Sequence, residues 1–126
     1  MNLGPIHHVA LWASDLEKAK DFYVRKLGFA LLRETARPDK GDVKLDLQLE
    51  GAELEVFCAS GHPPRPSYPE ALGLRHLAFA VVDVRETVAQ LAAVGIPAEP
   101  VRIDPITGRL MTFFFDPDGQ PLELHE

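Results

Sequence analysis

One cysteine, Cys58, is all the thiol this sequence contains. It cannot close an intrachain disulfide, so the fold has to rest on a packed core, and the count suits a reducing, cytoplasmic compartment. Positive charge is scarce as well. Thirteen Lys and Arg stand against nineteen Asp and Glu, for a formal net charge of −6. Such a surface repels phosphate backbones and anionic headgroups, so neither a nucleic-acid nor a membrane partner is expected. No apolar run approaches the roughly 20 residues of a membrane span, and no apolar stretch behind positive charge marks a signal peptide. What remains is 126 residues, 46% of them hydrophobic, which is enough for one domain with a buried core.

The chain repeats itself. His76 follows His8 by 68 positions, and Glu123 follows Glu55 by the same 68, as do Asp83 after Asp15 and Leu122 after Leu54. Each copy reads β-α-β-β-β. In the first, residues 6–13 alternate as a strand, and Ser14-Asp15-Leu16-Glu17 is an S-x-x-E helix start. Leu16, Ala19, Tyr23 and Leu27, widened by Phe22, form a helical stripe that Gly28 ends. Strands follow over 29–35, 43–50 and 53–58, the last two joined by a turn with Gly51-Ala52 at its centre. That turn pairs Gln48 with Glu55 and Asp46 with Phe57. The second copy has strands over 76–82, 98–104, 110–115 and 120–125, with Val84, Val88 and Leu91 as the helix stripe. The expected architecture is α+β: a single domain over 1–126 made of module one (5–58), a Pro-rich connector (59–74) and module two (75–126). The modules form a curled mixed sheet with helices on its convex face. The connector reads equally as a stiff linker or as a flap over a site.

In both copies the His lies on the first strand and the Glu on the last, each interrupting an apolar alternation. Period two turns His8, Glu55, His76 and Glu123 away from the helices. Two imidazoles and two carboxylates make an N2O2 set for one divalent transition metal: nickel, cobalt, manganese, iron or zinc. Asp46, Gln48 and Phe57 share the Glu55 face, and Ala10, Ala78 and Ala80 leave room there. Trp12 supplies an apolar wall, so Trp12, Asp46, Gln48 and Phe57 are candidate substrate contacts. Cys58 reads as core. His7 has the wrong parity for a ligand, His62 reads as surface, and His125 shares the Glu123 face without being a ligand. The Phe113-Phe114-Phe115 run reads as packing on both faces.

His8-Val9-Ala10-Leu11, Asp21-Phe22-Tyr23 with Leu27-Gly28-Phe29, Arg75-His76-Leu77-Ala78-Phe79, and Asp116-Pro117-Asp118-Gly119 with Leu122-Glu123-Leu124 resemble the vicinal oxygen chelate superfamily. That superfamily includes glyoxalase I, bleomycin-resistance proteins, fosfomycin-resistance enzymes, epimerases and extradiol dioxygenases. The resemblance puts metal ligands at His8, Glu55, His76 and Glu123, the four-ligand pattern of glyoxalase I. Trp12 and Ala59 stand where bacterial glyoxalase I enzymes carry an Arg and an Asn that hold glutathione carboxylates, so the chain resembles a glyoxalase-like branch. The implied activity is that of a metal-dependent lyase or isomerase acting on a small substrate that chelates through vicinal oxygens. Glu55 or Glu123 would shuttle the proton of an enediolate reaction. The resemblance leaves two alternatives: an Fe(II) extradiol dioxygenase using only His8, His76 and Glu123, and a non-catalytic binder of antibiotic type. It also implies a homodimer.

Overall fold

The computed structural model describes residues 1–126 and divides into two compact units, Met1–Pro63 and Pro64–Glu126. Each unit has a four-stranded mixed sheet and a helix, which gives the α+β class expected from the repeat. In the first unit the order is β1 (His8–Ala13), α1 (Leu16–Ala19) continuing as a π-helical segment (Lys20–Lys26), β2 (Ala30–Arg37), β3 (Asp42–Leu49) and β4 (Ala52–Cys58). The sheet order is β1-β4-β3-β2, with β1 parallel to β4 and the other pairs antiparallel. The second unit has β5 (Leu77–Ala80), α2 (Val84–Ala93), β6 (Arg102–Ile103), β7 (Leu110–Phe115) and β8 (Pro121–His125) in the order β5-β8-β7-β6.

Alternation builds both cores. Leu45, Leu47, Leu54, Val56 and Cys58 are buried on one face of the first sheet together with Ala19, Phe22, Tyr23 and Phe29. Val84, Leu91, Ile96, Phe114, Leu122 and Leu124 are buried in the second unit. Cys58 is therefore a core residue, as its parity requires.

Local details depart from the sequence reading in four places. The first helix is capped by Asp15, whose Oδ1 accepts from the Lys18 N–H at 2.8 Å, so the start lies one residue beyond the Ser14 box. From Lys20 the helix widens, and the Leu27 N–H reaches the Phe22 carbonyl at 2.9 Å. The extra residue per turn rotates Phe22 and Tyr23 into the core and leaves Leu27 half-buried. The β3–β4 turn is centred on Glu50-Gly51, with φ of 47° and 81°. These left-handed values suit a type I′ hairpin, and they shift the pairing by two residues to Asp46↔Glu55 and Gln48↔Glu53. A shift of two preserves every face. Finally, residues 98–104 do not form a full strand. Only Arg102–Ile103 pairs as a strand, with Ala98 bridging Phe114, because Pro97 and Pro100 lack the N–H a ladder needs.

Candidate metal and substrate site

The structure brings the four predicted ligands together two by two. In the first unit β1 lies beside β4, with Ala10 opposite Glu55 and Trp12 opposite Phe57. His8 Nε2 lies 3.7 Å from Glu55 Oε2. In the second unit the same register returns, with Ala78 opposite Glu123, and His76 Nε2 lies 2.7 Å from Glu123 Oε2. Both carboxylates are sheltered, their side chains 16% and 10% exposed. No group of three or more His, Cys, Asp or Glu side chains converges in a geometry that could hold a metal ion.

Each pair offers donor atoms of the kind a divalent ion takes. An imidazole nitrogen and a carboxylate oxygen each about 2.1 Å from one ion stand roughly 3–3.5 Å apart, and the observed separations lie on either side of that range. In the second unit, His76 Nδ1 is buried without a hydrogen-bond partner, so Glu123 is the ring's one polar contact. In the first, His8 Nδ1 lies 2.9 Å from His7 Nδ1, which leaves Nε2 for the Glu55 side. His7, given no metal role by its parity, thus touches the predicted ligand.

The two pairs have different surroundings. Lys44 stands opposite Phe57 on β3, and its Nζ donates to Glu55 Oε1 at 2.6 Å and to Asp46 Oδ1 at 2.9 Å. Arg33 Nε donates to the other Asp46 oxygen at 2.9 Å. Hydrogen bonds to Glu55 and then Asp46 hold the Lys44 ammonium above its ordinary range. Burial pushes the Asp46 carboxyl up, but Lys44 and Arg33 outweigh it and the net shift is downward. Asp46 was expected to face a substrate, and both its oxygens are already engaged. Gln48 stands opposite Glu53, half-buried.

Sequence reading missed Lys44. The assumed turn placed it opposite Ala59, at the margin of the sheet. Its parity with Asp46 and Gln48 was the signal that could have found it.

Trp12 packs on Phe57 with ring centroids 5.5 Å apart and on His62 at 4.1 Å; His62 is exposed, as its loop position implies, and rests on the indole. Arg37 lies over the Phe57 ring at 4.6 Å.

Beside its histidine partner, Glu123 has an aromatic neighbour across the sheet. Phe113 is its cross-strand partner and meets His76 edge to face at 5.2 Å. Phe114 points into the core and Phe115 to solvent, so the aromatic run packs largely as its parity predicts. His125 is occupied at both nitrogens: Nδ1 donates to the Glu126 carbonyl at 2.7 Å, and Nε2 lies 3.2 Å from Asp104 Oδ2. Those two contacts, in that order, raise its pKa.

Residues 5–124 match the Glyoxalase/Bleomycin resistance protein/Dioxygenase superfamily. The chain belongs to this superfamily. It is 52% identical over 127 residues to the uncharacterised protein YwkD of Bacillus subtilis, covering 100% of this chain and 99% of that protein. A crystal structure of a glyoxalase-family protein from Enterococcus faecalis superposes with a TM-score of 0.94 at 61% identity, covering 96% of each chain. Mitochondrial methylmalonyl-CoA epimerase of Bos taurus is 28% identical over 119 residues, covering 79% of this chain and 66% of that enzyme. No helix is long and apolar enough to cross a membrane.

Proposed function

We propose that this superfamily member is a glyoxalase-like lyase or isomerase that uses one divalent transition metal, held by His8, Glu55, His76 and Glu123. The observation that carries the reading is the duplication of a histidine–glutamate pair at one register, Ala10↔Glu55 and Ala78↔Glu123, in both units. A bound metal supplies Lewis-acid polarisation of two neighbouring substrate oxygens. The protein supplies the rest. Trp12 and Phe57 give the substrate an apolar surface, and Ala10, Ala78 and Ala80 leave their strands' outer faces uncrowded. A carboxylate oxygen of Glu55 or Glu123 takes the proton from the carbon beside the polarised oxygens and returns it to a neighbouring atom. The working form is a cytoplasmic homodimer, which light scattering tests directly.

The deciding experiment is metal analysis of protein purified without chelator, with a screen of α-hydroxycarbonyls and thioesters on the metal-loaded protein. Stoichiometric metal and a turned-over substrate are expected, and activity should be lost in Glu55→Gln and Glu123→Gln. Full activity in both variants would remove the proton-transfer role.

One observation favours a second reading. Glu55 is engaged by Lys44 at 2.6 Å and lies 3.7 Å from His8. An Fe(II) dioxygenase that uses only His8, His76 and Glu123 would leave Glu55 with Lys44. Oxygen uptake with catechols after anaerobic iron loading, insensitive to Glu55→Gln, would establish that reading. Tight ligand binding with no product would instead indicate a sequestering binder.

A further inference from the structure

The carboxylate of Glu55 is claimed twice, once by the predicted metal and once by Lys44. The Lys44 side chain is 22% exposed, and its ammonium reaches Glu55 Oε1 at 2.6 Å and Asp46 Oδ1 at 2.9 Å. Asp46 also serves Arg33 at 2.9 Å. Two cations thus face two anions, and the formal charges cancel. The fold does not require this arrangement. In the second unit, Phe113 lies opposite Glu123 where Asp46 lies opposite Glu55, and Met111 takes the place corresponding to Lys44. A His–Glu pair stands there with no ammonium beside it.

We propose that Lys44 determines the substrate class: it shares Glu55 with the metal, and its charge pairs with a carboxylate carried by the chelating substrate. This rests on the metal-binding reading above. A divalent ion on the Oε2 side would share Glu55 with Lys44, so that Lys44, Arg33 and the ion together face only Glu55 and Asp46, and positive charge is in excess. Excess positive charge in a part-buried site is costly, and an incoming oxyanion restores the balance. A neutral vicinal-oxygen compound offers no such compensation. Metal and anion should therefore promote each other's binding, and thermodynamic linkage makes the effect reciprocal.

The test uses full-length wild type, Lys44→Gln and Lys44→Arg, with melting curves confirming that each folds. Nickel affinity is measured by calorimetry without organic ligand. The nickel-loaded proteins are then titrated with hydroxyacetone and with hydroxypyruvate, which differ by a methyl against a carboxylate. Lys44→Gln should bind nickel at least about fivefold more tightly than wild type, because no ammonium competes for Glu55. Wild type should prefer hydroxypyruvate by at least about fivefold, Lys44→Gln should lose that preference, and Lys44→Arg should keep it. An unchanged nickel affinity or an unchanged preference in Lys44→Gln overturns this inference while leaving the metal site standing. Absence of nickel binding in both wild type and Lys44→Gln overturns the metal reading along with it.

Discussion

The histidine–glutamate pair of Met1–Pro63 sits among charges, and its counterpart in Pro64–Glu126 sits against a phenyl ring. Backbone register is the same around both glutamates, since each faces an alanine on the first strand of its sheet. The difference enters from the other side. Asp46 lies opposite Glu55, whereas Phe113 lies opposite Glu123. One unit therefore holds its carboxylate by an ammonium at 2.6 Å, and the other by an imidazole at 2.7 Å. Duplication preserved the residues that could hold an ion while the neighbouring strand diverged. On the proposed reading, the ligand set belongs to the shared pattern, and the selectivity belongs to the strand that differs.

The largest expected effect tests that asymmetry at the ligands. Glu123→Gln should lower metal affinity at least about 100-fold, beyond the usual 10–100-fold cost of losing an outer partner of a ligand. Glu55→Gln should cost several-fold less, because in the wild type Lys44 already draws on that carboxylate and makes it the weaker ligand. Competition with a chromophoric chelator measures both. Equal losses would show that the two carboxylates are equivalent despite their surroundings.

Much of this was legible before any coordinates. The offset of 68 paired His8 with His76 and Glu55 with Glu123, and period two put each histidine and glutamate on the face away from the helix. What escaped was the third strand. The β3–β4 turn closes between Leu49 and Ala52, while β7 and β8 are joined by the longer Asp116–Gln120 stretch. That extra residue puts β7 at an offset of 67 from β3, so a single offset sets Asp46 against the buried Phe114 and hides its real counterpart, Phe113. Lys44 was lost for a related reason, since placing the turn one residue late moved it away from Glu55. Turn type depended on Glu50 adopting a positive φ, which a glutamate seldom does. The π-helical widening at Lys20–Lys26 had no sequence signature that periodicity could read.

If the units are equivalent in their cores, Leu54→Ala and Leu122→Ala should be equally harmful. Both leucines are buried next to Glu55 and Glu123 in sequence, and each truncation should cost about 2–5 kcal/mol, read as a drop in Tm. A much smaller loss at one of them would mark that unit as the looser half. The caps offer the same comparison at smaller scale. Asp15 and Asp83 each accept a hydrogen bond from the N–H three residues on, at 2.8 and 2.9 Å. Replacing either with Ala should cost about 1 kcal/mol. The helix after Asp15 changes register within a turn, so a smaller loss there than at Asp83 would show that the π-helical segment draws little from the cap.

The smallest effect concerns the turns before the diverged strands. Between β2 and β3 the turn is clasped by Arg37, whose Nε and Nη2 both donate to Asp42 at 2.6 Å. The corresponding turn in the second unit carries the opposite order, Asp104 then Arg109, and Asp104 accepts instead from the Ile106 N–H and Thr107. The Arg37 guanidinium lowers the Asp42 carboxyl below its ordinary 3.8, and that carboxyl is 1% exposed. A depressed acid stabilises the fold above its unfolded value, and the contribution disappears as pH falls through the folded one. Wild type should therefore melt above Asp42→Asn at neutral pH, with the gap closing only as the pH drops below 3.8. Arg37 stays charged throughout, so the closing belongs to Asp42. A gap of constant size from neutral to acid would mean that Arg37 is held by its stacking on Phe57, and that the ion pair adds nothing to the fold.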